Sequence, residues 1–244
     1  MNPVIARITL GQLLGRRRTV LLFLLGGVMV LVALIFRLAG DESRELQFTS
    51  GLLNNLGLAT LMPLVALLFG TGAIGSEIDD GTVVYLLAKP ISRWTVLITK
   101  LVVACACSIV VTCIPFVVAG LIAAGGLDGG LVIGFTVAAA FGSVLYCALF
   151  IFLSLVTSRA LVIGLGYVLI WEGVLAGLFR GTQTFSVHQY SLSLADALAD
   201  VSDSILAAPL ELTTALVMAA IVFIASLALA GRRLIRLEIA GETA

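Results

Sequence analysis

The sequence predicts an all-α integral membrane protein with six transmembrane helices. Three observations carry this: a composition too apolar for water, six long apolar runs, and basic residues gathered on one side of those runs. Of 244 residues, 61% are hydrophobic and 11% charged, with a mean hydropathy of +1.19. A soluble domain carries roughly a quarter charged residues, so this chain lacks the polar surface to cover an aqueous exterior. A hydrocarbon core about 30 Å thick takes about 20 helical residues. Runs near that length are Thr19 to Phe36, Leu56 to Ile74, Leu101 to Ala124, Leu131 to Val156, Ala160 to Phe179 and Leu212 to Ala230. They are expected to form one domain over residues 1–244, without a soluble domain or an internal repeat.

Lys and Arg accumulate in cytoplasmic loops. On this assignment Arg7, Arg16, Arg17, Arg18, Lys89, Arg93, Lys100, Arg159, Arg232, Arg233 and Arg236 fall on one side, and Arg37, Arg44 and Arg180 on the other. Eleven against three predicts a multi-pass protein of the cytoplasmic (inner) membrane with both termini inside. Arg16 to Arg18 resemble the basic start of a signal peptide, but 18 apolar residues with no small-residue cleavage site predict a retained helix. The net charge of zero hides an acidic outer side, with Asp41, Glu42, Glu45, Asp128, Asp196, Asp200, Asp203 and Glu211. Membrane lipid, not nucleic acid, is the expected surrounding.

Taking the elements in order, Asn2 and Pro3 suit a helix start. Residues 1–15 then read as an interfacial helix at the inner face, with Val4, Ile5, Ile8 and Gly11 toward lipid and Arg7 and Gln12 toward water. Arg37 to Asn55 reads as a polar outer loop. The second span contains Pro63 and ends in Gly70, Gly72 and Gly75, which permit close helix contact. The inner stretch 77–93 holds a short helix capped by Asp80; Pro90 disfavours helical geometry at Lys89, and Ser92 is positioned to cap the third span. Tyr85, Lys89 and Ser92 share one face of that short helix, and Val84, Leu87 and Ile91 another, so it can touch membrane helices and a soluble partner together. Thr157, Ser158 and Arg159 leave so tight a connection that the fourth and fifth spans must pack antiparallel. Residues 181–209 form an outer interfacial or re-entrant segment. There Tyr190, Leu194, Ala197, Leu198, Val201 and Ile205 recur at helical spacing, opposite Ser193, Asp196, Asp200 and Asp203.

Few residues carry chemistry. Glu172 is the sole acid well inside a predicted span, where a carboxylate needs a partner or a watery cavity. Two roles are open: lining a translocation path or dimer interface, or pairing with a hydroxyl or backbone group to fix helix packing. Gly173 and Gly177 form a GxxxG beside it. His188 is the only histidine and lies outside the spans, which supports neither a zinc site nor an intramembrane Ser–His pair. Cys105, Cys107, Cys113 and Cys147 fall inside spans without CxxC spacing and read as buried small apolar residues. No GxxxxGK[ST] loop occurs, so any nucleotide hydrolysis must come from another subunit.

The run Glu77-Ile78-Asp79-Asp80-Gly81-Thr82-Val83-Val84-Tyr85-Leu86-Leu87, followed by Lys89-Pro90-Ile91-Ser92-Arg93, resembles the inner loop of ABC-2 type transporter permeases. Trp171-Glu172-Gly173 and Ser186-Val187-His188-Gln189-Tyr190 resemble the fifth-helix region of a bacterial branch that includes relatives of the nitrous-oxide-reductase copper-maturation permease. With the six spans, the resemblance covers essentially the whole chain.

The resemblance implies a type V exporter-like transmembrane domain. This would be a permease subunit that dimerises, two copies seating on two cytoplasmic ATPase subunits that hold the ATP and Mg. It implies no cofactor on this chain, a coupling segment comprising Glu77, Ile78, Asp79, Asp80, Gly81, Thr82 and Tyr85, and outer helices over Tyr190 to Ile205 that close the external end. An ATP-independent secondary transporter or a membrane scaffold is the alternative, but such carriers place several ionisable groups at mid-membrane and show repeated halves. A copper role is disfavoured because Met29, Met62, Met218 and the cysteines are scattered over different spans.

Overall fold

The computed structural model describes residues 3–15, 17–39, 44–79, 92–126, 130–178, 180–199, 201–202 and 204–241. Among them the regular structure is helical throughout. The helices are α1 (Pro3–Leu14), α2 (Arg17–Ala39), α3 (residues 45–79), α4 (Arg93–Ala124), α5 (Leu131–Val156), α6 (residues 160–178), α7 (Val187–Leu198) and α8 (Leu212–Gly241). Two of them contain π-helical stretches, Leu53–Leu61 in α3 and Tyr167–Leu175 in α6. Among the described residues, five segments are long and apolar enough to cross a membrane: Val20–Ala39, Glu45–Gly75, Arg93–Ala124, Leu131–Val156 and Leu212–Leu234. The expected fifth span is the shorter apolar helix Ala160–Leu175, continued by one turn and ended by a 3-10 segment at Arg180–Phe185.

α5 is the axis of the bundle. It packs against α3, α4, α7, α8 and the start of α6, while α2 lies against α4. Small residues set these approaches. A Cβ added at Gly70 would meet Phe150 Cβ at 2.9 Å and the Cys147 carbonyl at 3.2 Å, so α3 and α5 touch nearly backbone to backbone. Gly72 faces Leu13 of α1 and Gly75 faces Ser154 of α5, as their spacing predicts. Gly26 of α2 lies against the ring of Pro115, the proline inside α4. Gly125, at φ 68°, ends α4 in the left-handed region that disfavours side chains, and the Arg37 guanidinium lies beside it at that helix's negative end. Thr157 to Arg159 form the tight turn expected between α5 and α6, with the Arg159 amide donating to Thr157 Oγ1 at 3.2 Å.

Several sequence expectations are corrected. Much of the supposed polar loop from Arg37 to Asn55 is helix: α3 starts at Glu45, not at Leu56. Its polar residues are satisfied there, since Glu45 pairs with Arg37, Thr49 Oγ1 donates to the Glu45 carbonyl at 2.7 Å, and Ser50 Oγ donates to the Ile205 carbonyl at 3.1 Å. Phe48 stacks on Phe36 of α2, ring centroids 3.7 Å apart. In α1, Ile5 turns inward with Thr9 and Leu13 against the bundle, leaving Val4 and Ile8 exposed. Ser92 stands at the start of α4, but its side chain makes no capping bond. Asn2 lies outside the described residues. The amphipathic helix expected over Tyr190 to Ile205 stops at Leu198, where Ala199 is extended, so Val201 and Ile205 belong to the return segment. Its hydroxyl face also turns inward, with Ser191 and Ser193 buried.

Candidate functional site

The first turn of α7 is held from two sides by polar residues of two other helices, each within a π-helical stretch. Ser186 is its N-cap: with φ −103° and ψ 122° it is extended, and its Oγ accepts the Gln189 amide at 3.3 Å. Glu172 completes the cap from α6. Its Oε1 accepts the Val187 amide at 3.0 Å and the Tyr167 hydroxyl at 3.0 Å, and its Oε2 accepts the Ser186 hydroxyl. Glu172 is 9% exposed. A carboxylate this buried is costly, and the free amides and positive dipole end of a helix offset that cost. The 3-10 segment between them is pinned as well: Trp171 Nε1 donates to the Phe185 carbonyl at 3.3 Å and Tyr190 donates to the Thr184 carbonyl at 2.6 Å.

On the other side, His188 Nε2 lies 3.0 Å from Oδ1 of Asn54, in the π stretch of α3, a pairing that needs the proton on Nε2. π-Helical stretches inside α-helices are frequent at functional sites. The one in α3 also accommodates Phe116 of α4, whose ring occupies the space a Cβ on Gly57 would take. Asn54 and His188, outside every sequence-derived site, were hidden because their contact joins residues 134 apart.

α7 runs beside the half of α5 that starts at Leu131. The ideal Cβ of Gly134 would lie 2.9 Å from the Ala195 carbonyl, and Gly142 meets the Ser191 hydroxyl. Since Gly142 is midway along Leu131–Val156, the start of α7 and Glu172 are level with the middle of the bundle's axial helix. Tyr146 is fully buried on α5, its ring stacked on Phe150 at 5.7 Å and its hydroxyl without a hydrogen-bond partner among the described residues. The return segment closes over α7: Asp196 Oδ2 accepts the Ala208 amide at 3.1 Å, and Ser193 Oγ lies 3.0 Å from the Leu210 carbonyl.

The other predicted site residues separate from this cluster. Gly173 faces outward, where an added Cβ would meet only the Val168 carbonyl at 3.6 Å, between the exposed Ile170 and Val174. Gly177 lies in the last turn of α6. Glu77, Ile78 and Asp79 form the last backbone turn of α3; Asp80, Gly81, Thr82 and Tyr85 lie outside the described residues. One residue near this end was misread. Lys100, counted as a basic flank, is 1% exposed, and its Nζ donates to the Ala73 carbonyl at 2.6 Å. The signal available was its place inside an uninterrupted helical run beginning at Arg93. The cysteines are free thiols, three buried and Cys113 partly so. No three His, Cys, Asp or Glu side chains assemble into a metal-binding group among the described residues.

Fold and site together define a multi-pass helical membrane protein with a polar joint inside it. A family model described as ABC-2 family transporter protein matches residues 4–233, and the chain belongs to that family. It is therefore a transmembrane permease of ABC transporters, a family whose members work with an ATPase subunit and are themselves the membrane component. No curated protein matches the chain at a significant level.

Proposed function

We propose that this chain is the permease subunit of an exporter: two copies pair in the cytoplasmic membrane, both termini inside, and two cytoplasmic ATPase subunits dock on their inner segments. The observation that carries this is the family match over residues 4–233. On this reading Ala160–Leu175 is the fifth of six spans, α1 lies at the inner face, and residues 181–209 are an outer re-entrant or interfacial segment. The ATPase subunits supply ATP and Mg chemistry; the work of this chain is mechanical.

Glu77, Ile78, Asp79, Asp80, Gly81, Thr82 and Tyr85 form the contact through which ATPase closure is felt. What favours it is that α3 runs without a break from Asp79 back to Asn54, so a push at its inner end reaches the joint at α7. Rigid elements of this kind carry coupling when they have two discrete arrangements. At the joint, Glu172 holds α7 in place beside the path, and rearrangement of its bonds frees the outer segment to move. Gly173, facing outward on an apolar face with Ile170 and Val174, serves with Gly177 the pairing of two copies by close approach.

The test is purification of the tagged chain from its native membrane in mild detergent, followed by native mass spectrometry. The expected species holds two copies of this chain and two of an ATP-binding subunit. Recovery of the chain with no ATP-binding protein would refute the reading and return the chain to an ATP-independent role.

A further inference from the structure

We propose that Lys100 is a positioning residue for the inner coupling segment, binding the root of that segment to α4. This rests on the reading of Glu77 to Tyr85 as the ATPase contact. Among the described residues, Lys100 and Glu172 are the two charged side chains that are buried, and only Lys100 lies near the inner end. Its Nζ donates to the Ala73 carbonyl at 2.6 Å. Within Met62–Asp79 the α-helical ladder assigns that same carbonyl to the amide of Glu77, so the ammonium reaches the bond that closes the turn presenting Glu77.

Around this root Leu13 also packs against Gly72, and Ser154 Cβ lies near Gly75. The Lys100 bond is charge-assisted and fixes the rotation of α3 relative to α4, the two helices that flank the inner segment. Stability alone does not account for the residue. Burying an ammonium is costly, so packing alone would favour an apolar side chain of similar volume at this position. An ammonium here is useful because it makes α3 and α4 answer together when the segment between them is pushed.

Two measurements separate this proposal from the reading it rests on. In the chain alone, hydrogen exchange of the 77–79 amides is expected to quicken in Lys100→Met and to remain near wild type in Lys100→Arg; unchanged exchange in Lys100→Met would overturn the tie, whatever the ATPase does. In the complex with its ATPase subunit in proteoliposomes, Lys100→Met is expected to fold and assemble while hydrolysis stimulated by the chain falls about tenfold, within the usual range of inter-site coupling. Lys100→Arg is expected to restore most of it. Full stimulation with Lys100→Met, or loss of stimulation only in step with loss of folded protein in Lys100→Met and Lys100→Gln alike, would make Lys100 a packing residue and overturn the proposal.

Discussion

The carboxylate of Glu172 accepts the backbone amide of Val187 at 3.0 Å, joining the π-helical part of α6 to the first turn of α7. The same carboxylate takes the hydroxyls of Tyr167 and Ser186. A charge that is unusual in an apolar span is thus spent on the start of another helix.

Glu172→Gln keeps the size and removes the charge. The amide retains one acceptor oxygen, and its NH2 group confronts donors that the carboxylate satisfied. The expected loss is about 2 kcal/mol, the scale of hydrogen bonds to a charged group. A lower melting temperature in detergent, together with faster exchange of the 187–190 amides, would report it. An unchanged melting temperature and unchanged exchange would remove Glu172 from the joint.

Ser186→Ala deletes the cap that accepts the Gln189 amide and donates to Glu172. Loss of a helix N-cap costs about 1 kcal/mol. The effect should be confined to α7, so exchange is expected to rise at residues 187–190 and to stay unchanged in α4. Uniform destabilisation would point to a wider role.

A double-mutant cycle on Asn54→Ala and His188→Ala tests the second grip on α7, at 3.0 Å. The expected coupling is about 0.6 kcal/mol, the average for polar pairs within membrane bundles. Strict additivity would mean that the two side chains do not sense each other.

Gly142 is the point where α7 lies closest to the middle of α5, with Met62 and Ser191 in the space a side chain would take. Gly142→Val is therefore expected to cost about 1–3 kcal/mol by overpacking and to push α7 away from α5. Enhanced labelling of a cysteine placed at position 191 would show this, whereas unchanged labelling would contradict the close approach.

Much of the fold was legible because in lipid the backbone must satisfy itself within helices, so long apolar runs announce spans with little competition. Thr157 to Arg159 and the glycines from Gly70 to Gly75 were readable for the same reason, since length and side-chain size alone constrain them. The start of α3 was not, because Ser50 looks like a loop residue until the carbonyl of Ile205, distant in sequence, accepts its hydroxyl. Polarity misled again in α7, where Ser193 and Asp196 seemed a solvent face but hold the return segment. Glu172 was found as a residue out of place, with its pairing role left open beside a path or interface role; no local pattern told that its partner is a helix start at Val187. Lys100 shows the converse, a charge so near the start of its apolar run that the side rule absorbed it although it is buried.

The most direct test of the permease reading is ATP hydrolysis by the complex of this chain with its ATPase subunit in proteoliposomes, wild type against the Glu77→Ala, Asp80→Ala double variant. Hydrolysis is expected to depend on the wild-type chain and to fall about tenfold in the variant, the scale of a lost inter-site coupling. Equal rates for wild type, variant and ATPase alone would contradict the reading.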